Sequence, residues 1–189
     1  MAQEPFPGKT DTRTGRTDEE KIMQRDGETA LDFDPKDLAA SAGVVFIGRI
    51  VSPWKERGEC PRNMASARDT GRGAHIEIDA PYRPGLSGLE EFSHVAVLTW
   101  LDRAPRNLIR QMPRHVEAPR GVFSLRSPAR PNPVGLHVVR ITHLDQAAGL
   151  IDIDAIDVLD GTPVIDLKPY FASIDAFTEA RSRRDGDKR

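Results

Sequence analysis

The chain carries Gly-Val-Phe-Ser-Leu-Arg-Ser-Pro-Ala-Arg-Pro-Asn-Pro-Val-Gly at residues 121–135, where three prolines fall within six residues. Side-chain alternation over residues 122–126 predicts a strand that leads into these prolines. Each proline fixes its own φ, removes a backbone donor and pushes the preceding residue into extended geometry. The polar residues held by this backbone are Arg126, Ser127, Arg130 and Asn132. Such a rigid loop suits a pre-organised ligand site, and a stiff corner between two strands, with its arginines in solvent, fits equally well.

Apolar runs of strand length recur on both sides of this loop. They predict strands at residues 44–51, 75–80, 92–101, 136–144, 150–159 and 164–167, and the run at 92–101 is continuous enough to be buried on both faces. Residues 54–73 are predicted to be a long loop and 81–88 a turn, and short helices are predicted at 35–42, 105–112 and 171–180. No glycine-rich phosphate loop follows a strand, so a Rossmann fold is not supported. The pattern predicts a mainly β fold, a single small β-barrel with a few short helices.

Composition divides the chain and limits its setting. Residues 1–42 contain ten acids and six basic residues with no sustained apolar period, which predicts a mobile polar extension. The barrel domain is placed at residues 43–174 and a charged tail at 175–189. The net charge of −2 favours no particular partner, and the single Cys60 excludes an intramolecular disulfide framework. No apolar run approaches the ~20 residues needed to span a bilayer, and the N-terminus lacks a signal-peptide core. We therefore expect a soluble cytoplasmic protein with no membrane contact.

Two long motifs carry a family resemblance. Residues 126–135 resemble the Arg-Ser-Pro-x-Arg-Pro-Asn-Pro-Ile/Val-Gly signature of the TsaA-like, or TrmO, family. Residues 160–170, Asp-Gly-Thr-Pro-Val-Ile-Asp-Leu-Lys-Pro-Tyr, resemble that family's Asp-Gly-Thr-Pro-x-x-Asp-x-Lys-Pro-Tyr block, and weaker echoes occur at 47–53, 60–63 and 88–94. The family comprises S-adenosylmethionine-dependent methyltransferases, and its characterised members methylate the base nitrogen of threonylcarbamoyladenosine just 3′ of the tRNA anticodon.

The resemblance implies a cofactor site, a substrate and an assembly. The residues it assigns to S-adenosylmethionine are Arg126, Leu136, Asn63, Met64, Leu101, Asp102, Arg103, Ile156, Asp157, Val158 and Leu159. Arg130, Asn132, Lys168 and Tyr170 are assigned to the substrate, tRNA, and a homodimer is expected. The chain departs from the family at Leu101-Asp102, where an aromatic-histidine pair is usual, and in its Asn63-Met64-Ala65 loop. We expect no counterpart of the C-terminal domain that some bacterial members have after the position of Tyr170.

Between Arg103 and Arg130 there are seven arginines and one acid, Glu117. This excess of positive charge predicts either a phosphate-facing surface or a solvated basic rim.

No residue stands out as a catalytic base. Asp160 and Asp166 are weak candidates, and an aspartate before glycine is more often a turn former. The five histidines lack metal-ligand spacing, so no metal is expected. We favour a hydrogen-bonding role for His94 and give Cys60 little weight as a nucleophile. Two alternatives stay open: a methyltransferase with a different small substrate, and a non-catalytic module that senses the cofactor.

Overall fold

The computed structural model describes residues 26–33, 43–113 and 117–181. Within these residues the strands are β1 (Thr29–Ala30), β2 (Gly48–Val51), β3 (Ala74–Ile78), β4 (His94–Trp100), β5 (Leu108–Gln111), β6 (Arg120–Gly121), β7 (Val134–Asp145), β8 (Leu150–Ile153) and β9 (Pro163–Pro169). The α-helices are α1 (Met64–Asp69) and α2 (Ala172–Asp175), and 3₁₀ turns cover Ala80–Leu86, Leu89–Glu91 and Val122–Ser124.

Six strands form the main sheet. Their order is β2-β3-β8-β7-β4-β9, and β9 pairs back with β2, so the pairing runs round a closed circuit. All of these pairs are antiparallel. The inward side chains are mostly β-branched, and several are completely buried: Ile50, Ile76, Val95, Val97, Val139, Ile151 and Val164. The mainly β fold without Rossmann architecture confirms the fold class predicted from the strand-length runs.

A second, smaller sheet lies beside the proline-rich loop. It has the order β1-β5-β6, and β1 comes from the N-terminal extension, where no strand was predicted. The helix predicted at 105–112 is wrong, because β5 occupies this segment. Pro105 suits the first turn of a helix, but pairing of β5 with strands on both sides satisfies its backbone and buries Leu108 and Gln111. Tertiary pairing here overrides a weak local signal.

Other element boundaries also differ from expectation. The strand predicted at 122–126 is instead the 3₁₀ turn Val122–Ser124, which buries Val122 and leaves Phe123 78% exposed. The strand predicted at 150–159 ends at Ile153, and the one predicted at 44–51 begins at Gly48. After Ile153 the chain leaves β8, and Asp154 bonds to the Arg140 backbone through both its own N–H and its side chain.

The remaining differences concern short helices and burial. Helix α1 lies inside the predicted loop 54–73, and the turn predicted at 81–88 is largely 3₁₀. Strand β4 alternates between fully and partly buried residues, so it is not buried on both faces. The helix predicted at 171–180 covers only Ala172–Asp175, and the one predicted at 35–42 lies outside the described residues. No helix of the described segments is long and apolar enough to cross a membrane.

Candidate functional site

Strand β7 has an edge that is not covered by another strand. It pairs with β4 from Val134 to Arg140, but its pairing with β8 begins only at Ile141. On the uncovered side, the Leu136 carbonyl accepts a hydrogen bond from Arg126 Nη2 at 3.0 Å, and the Val138 carbonyl accepts one from Arg68 Nη2 at 2.7 Å. Because backbone groups of an antiparallel strand alternate in direction, the N–H groups of Leu136 and Val138 point the same way. We call this edge, with α1 and the 154–162 connection beside it, the β7 opening.

Helix α1 reaches this opening because its start is well capped. Asn63 is the N-cap residue in extended conformation, and its side-chain oxygen accepts a 2.9 Å bond from the Ser66 N–H. Ala67 is buried and Met64 packs against the core, so the helix holds Arg68 over the edge of β7. Arg68 Nε also pairs with Asp154 at 3.2 Å. A shallow cavity of about 480 Å³ beside the opening is lined by Arg68, Gly71, Gly73, Arg140, Thr142, Ile153 and Asp154.

A buried polar relay lies directly beneath the opening. His137 Nδ1 is 2.7 Å from Asp157 Oδ1, and His137 Nε2 is 3.0 Å from Thr99 Oγ1. The Thr99 residue is fully buried, and the His137 side chain is 7% exposed. The relay therefore ties β4, β7 and the 154–162 connection together inside the closed sheet. Ile156, the residue directly before Asp157, accepts a hydrogen bond at its carbonyl from Trp54 Nε1 at 2.8 Å. This bond holds the 154–162 connection in place next to Asp157.

The relay explains the last glycine of the 126–135 motif. A Cβ built on Gly135 would lie 2.3 Å from Thr99 Oγ1 and 2.5 Å from His137 Nε2, closer than any real Cβ contact. Only glycine leaves room for the Thr99–His137 hydrogen bond at this point of β7.

The loops at one end of the sheet bring several predicted residues together. The Leu101 N–H donates to the Pro133 carbonyl at 2.8 Å, so the end of β4 meets the proline-rich loop. Arg103 Nη2 donates to the Asp160 carbonyl at 2.9 Å. Asp102 is exposed at this rim. Val158 is buried and Leu159 packs against the core, which leaves Asp157 as the polar side chain of its stretch.

Both weak base candidates take part in hydrogen bonds and ion pairs. Asp160 Oδ1 accepts from the Ser52 N–H at 3.0 Å and Oδ2 pairs with Lys55 at 2.7 Å. The Lys55 hydrogen bond is the main cause that lowers the pKa of Asp160, which makes it a weaker base. Asp166 accepts from the Leu167 N–H and pairs with Lys168 at 2.8 Å. The geometry supports structural roles for both aspartates, and no catalytic base is identified.

The arginines of the 103–130 segment brace the backbone around the proline-rich loop. Five guanidinium groups donate to carbonyls: Arg103 to Asp160, Arg106 to Pro131, Arg110 to Pro119, Arg126 to Leu136, and Arg130 to Val122 and Leu125. None of the five forms an ion pair with a carboxylate of the described residues, so their charges are not neutralised there. Arg114 lies outside the described residues.

Part of the predicted substrate set lies elsewhere. The Tyr170 N–H donates to the His94 carbonyl at the start of β4, whereas Asn132 and Pro133 adjoin Leu101 at its other end. The seven residue steps from His94 to Leu101 span about 23 Å of strand. Within one chain Tyr170 therefore lies far along β4 from Asn132, and Lys168, which pairs with Ala96, lies closer to the Tyr170 end of the strand. His94 itself bonds to the Ser93 hydroxyl at 2.9 Å, as the structural interpretation expects.

Sequence reasoning missed Thr99 and His137. The available signal was their phase: both occupy inward positions of strands whose other inward residues, such as Val97 and Val139, are apolar. Two polar residues in the core phase of neighbouring strands indicate a buried hydrogen bond. Burial, reinforced by the negative charge of Asp157, raises the pKa of the Cys60 thiol to about 11, so little of it is thiolate at neutral pH. Within the described segments, no group of three or more metal-ligating side chains is present.

Together these features define a mainly β protein with an arginine-bordered strand edge at one end of a closed sheet. The chain belongs to the tRNA-methyltransferase O N-terminal domain family, whose model matches residues 49–176. The resemblance inferred from the two motifs is thereby confirmed.

Individual relatives agree with this assignment. A probable S-adenosyl-L-methionine-binding protein of Methanothermobacter thermautotrophicus is 43% identical over 130 residues, covering 69% of this chain and 90% of that protein. The tRNA (adenine(37)-N6)-methyltransferase of Escherichia coli is 33% identical over 142 residues, covering 71% of this chain and 60% of that enzyme. The crystal structure of TrmO from Pseudomonas aeruginosa superposes with a TM-score of 0.60 at 34% identity, covering 75% of this chain and 61% of that one. The chain thus spans about three fifths of the length of these two methyltransferase relatives.

Proposed function

We propose that this protein is an S-adenosylmethionine-dependent methyltransferase that acts on tRNA. The observation that carries the proposal is the family match over residues 49–176, which contains the proline-rich loop, the β7 opening and the relay beneath it. The names of the relatives from M. thermautotrophicus and E. coli supply the cofactor and the class of substrate. The finer proposal is that the target is threonylcarbamoyladenosine beside the anticodon.

The chemistry of the β7 opening fits the cofactor. Arg126 is exposed and uses one nitrogen on Leu136, so its remaining N–H groups can bind a carboxylate. Leu136 is 52% exposed and offers an apolar surface beside backbone groups, which is what an adenine ring needs. We assign the rest of the site to the Asn63-Met64 start of α1, residues 101–103 and residues 156–159.

The chain's contribution to catalysis is binding, orientation and exclusion of water. When bound, S-adenosylmethionine supplies an electrophilic methyl group on a sulfonium, so transfer needs neither a metal nor a covalent enzyme intermediate. The residues assigned to the site would hold the sulfonium methyl group in line with the acceptor nitrogen, which would gain the methyl group and lose its proton to the surroundings. In-line placement at about 3 to 3.5 Å is the main requirement. The braced proline-rich loop favours such placement, because few of its groups need to be ordered on binding.

The proposed tRNA surface is the arginine-rich segment from Arg103 to Arg130. Each bracing guanidinium keeps its charge and further donors after bonding to a carbonyl, so the surface can face phosphate. Arg130 and the exposed Asn132 are assigned to the substrate side of the loop. Action on tRNA would place the protein in the cytoplasm.

We also propose a homodimer. Phe123, Val134 and Leu136 are 78, 38 and 52% exposed, and such apolar side chains favour a protein interface. The separation of Lys168 and Tyr170 from the proline-rich loop within one chain is a second reason, since a partner subunit could bring the two sets together.

One observation favours the alternative of a cofactor-binding module without catalysis. Several relatives are named only for binding S-adenosyl-L-methionine, and Asp102 puts a carboxylate at the rim where a histidine is usual in the family.

Two experiments separate these possibilities. Calorimetric titration with S-adenosylmethionine should show saturable binding, and its absence would refute the cofactor proposal. Mass spectrometry of tRNA nucleosides from a deletion strain should show loss of the methyl group from threonylcarbamoyladenosine, restored by the wild-type gene. Cofactor binding with unchanged tRNA nucleosides would support the binding module or a different substrate.

A further inference from the structure

Packing alone does not require the polar side chains of Thr99, His137 and Asp157 that form the buried relay. Leucine or valine would fill the same core, as they do at neighbouring inward positions such as Val97 and Val139. Buried polar groups destabilise a core unless they are fully hydrogen-bonded. Both nitrogens of the His137 ring have a partner, at 2.7 and 3.0 Å, so the ring is held at both ends.

The partners determine which nitrogen carries the proton. An ionised carboxylate only accepts hydrogen bonds, so His137 Nδ1 donates to Asp157 Oδ1. In the neutral ring, Nε2 then accepts from the Thr99 hydroxyl. The position of Asp157 Oδ1 is therefore set by two strands of the main sheet, β4 and β7.

The other carboxylate oxygen of Asp157, Oδ2, is not held by His137. Oδ2 accepts no hydrogen bond from a residue in the described ranges, and the Asp157 side chain is 17% exposed. The carboxylate belongs to the 154–162 connection, which has left the main sheet after β8. Its negative charge also contributes to the raised pKa of Cys60, so Asp157 acts on its surroundings as a charged group.

We propose that His137 is a positioning residue for the cofactor: it holds Asp157 so that Oδ2 accepts a hydrogen bond from a donor group of S-adenosylmethionine. This inference rests on the proposed function. Asp157 makes the contact, and His137 acts through it. The affinity of the site for the cofactor then depends on the geometry of the closed sheet, because the Asp157 carboxylate cannot turn away without breaking its buried bond to His137.

Two substitutions at His137 separate this role from simple packing. The amide nitrogen of asparagine comes close to the place of Nδ1, so His137→Asn keeps the bond to Asp157 and loses Thr99. The amide nitrogen of glutamine reaches the place of Nε2, so His137→Gln keeps the hydrogen bond to Thr99 and loses the one to Asp157. We expect His137→Gln to bind S-adenosylmethionine at least about tenfold more weakly than wild type, the scale of a lost bond to a charged group. His137→Asn should stay within about threefold, although both variants melt at lower temperature than wild type because each loses one buried bond.

Calorimetric titration of the full chain, with melting temperatures measured without ligand, gives both quantities. Equal losses of affinity in the two variants, or no loss in His137→Gln, would overturn the inference and leave the proposed function standing. Absence of binding by wild type would overturn both.

A measurement on wild type covers the case in which His137→Gln does not fold. Imidazole ¹⁵N spectra should show the Nδ1–H form of His137, with signals that move when S-adenosylmethionine saturates the protein. A ring whose signals are unchanged at saturation is only structural, and that result would also overturn the inference.

Discussion

Replacing Gly135 by alanine tests the packing around the relay with the smallest possible change. The added Cβ would lie 2.3 Å from Thr99 Oγ1 and 2.5 Å from His137 Nε2, so at least one of these groups must move. Both belong to completely or almost completely buried residues on paired strands, where little movement is available. The 3.0 Å hydrogen bond between them would be broken or distorted.

Two terms set the size of the effect. Overpacking a core typically costs 1–3 kcal/mol, and loss of a buried hydrogen bond adds about 0.5–1.5 kcal/mol, which gives roughly 3 kcal/mol for Gly135→Ala. For a chain of this size each kcal/mol lowers the melting temperature by about 2–4 °C, so a decrease of roughly 6–12 °C is expected.

Gly121→Ala is the matched control. Gly121 has φ −61° and ψ 138°, which alanine adopts without strain, and a Cβ there would meet nothing within 4 Å. Alanine also restricts the unfolded chain, so Gly121→Ala should be neutral or stabilising by up to about 1 kcal/mol.

Thermal unfolding followed by circular dichroism measures both variants. The double variant Gly135→Ala/Thr99→Ala should be less destabilised than the sum of the single changes, because removing Oγ1 frees the space that Cβ needs. If Gly135→Ala melts within about 2 °C of wild type, below the effect of even 1 kcal/mol, the described packing of Thr99 and His137 against β7 is wrong.

Three further outcomes are expected. Arg126→Lys should weaken S-adenosylmethionine binding about ten- to a hundred-fold by calorimetry, because lysine cannot bond to the Leu136 carbonyl and also form a carboxylate fork; Arg130→Lys should have a smaller effect, and wild-type affinity in Arg126→Lys would reduce the loop to a structural corner. Asp160→Asn should lower the melting temperature at pH 7, and the difference should narrow below about pH 4: a carboxyl whose folded pKa is lowered stabilises above its unfolded value, and this stabilisation is lost as pH falls through the folded value. A difference that grew toward acid pH would contradict this assignment. Arg110→Glu should weaken tRNA binding in filter assays and reduce its salt dependence, while Arg181→Glu, outside the arginine-rich segment, should not; equal effects would indicate non-specific attraction.

Strands with long, β-branched apolar runs were predictable from sequence. The runs at 92–101 and 136–144 correspond closely to β4 and β7, which form the seven-residue pairing that supports the site. In the structure the inward residues of β4 alternate with partly exposed ones, because one face is the core, although the continuous apolar run at 92–101 predicted burial on both faces. The mainly β fold follows from this pattern.

Short elements were not predictable in the same way. Strand β5 has four residues and is stabilised by pairing with β1 and β6, which come from distant parts of the chain. Helix α1 has six residues, and its one local signal was the N-cap Asn63. The Thr99–His137–Asp157 relay joins residues 38 and 20 positions apart, a distance over which single-sequence patterns carry no pairing information.

The arginines around the proline-rich loop have a physical origin of their own. From sequence alone, a phosphate-facing surface and a solvated basic rim were the two alternatives. Three prolines remove three backbone donors between Ser127 and Pro133 but leave every carbonyl in place, so the loop has a surplus of acceptors. Side chains from neighbouring segments supply the missing donors: Arg106 bonds to the Pro131 carbonyl and Gln111 to the Ala129 carbonyl, each at 2.7 Å. A lysine or glutamine can satisfy a carbonyl too, but an arginine does so with one or two of its five N–H groups and keeps the rest. The same residues can therefore brace the loop and present unpaired positive charge to an anion, and the two interpretations of the arginine-rich segment do not exclude each other.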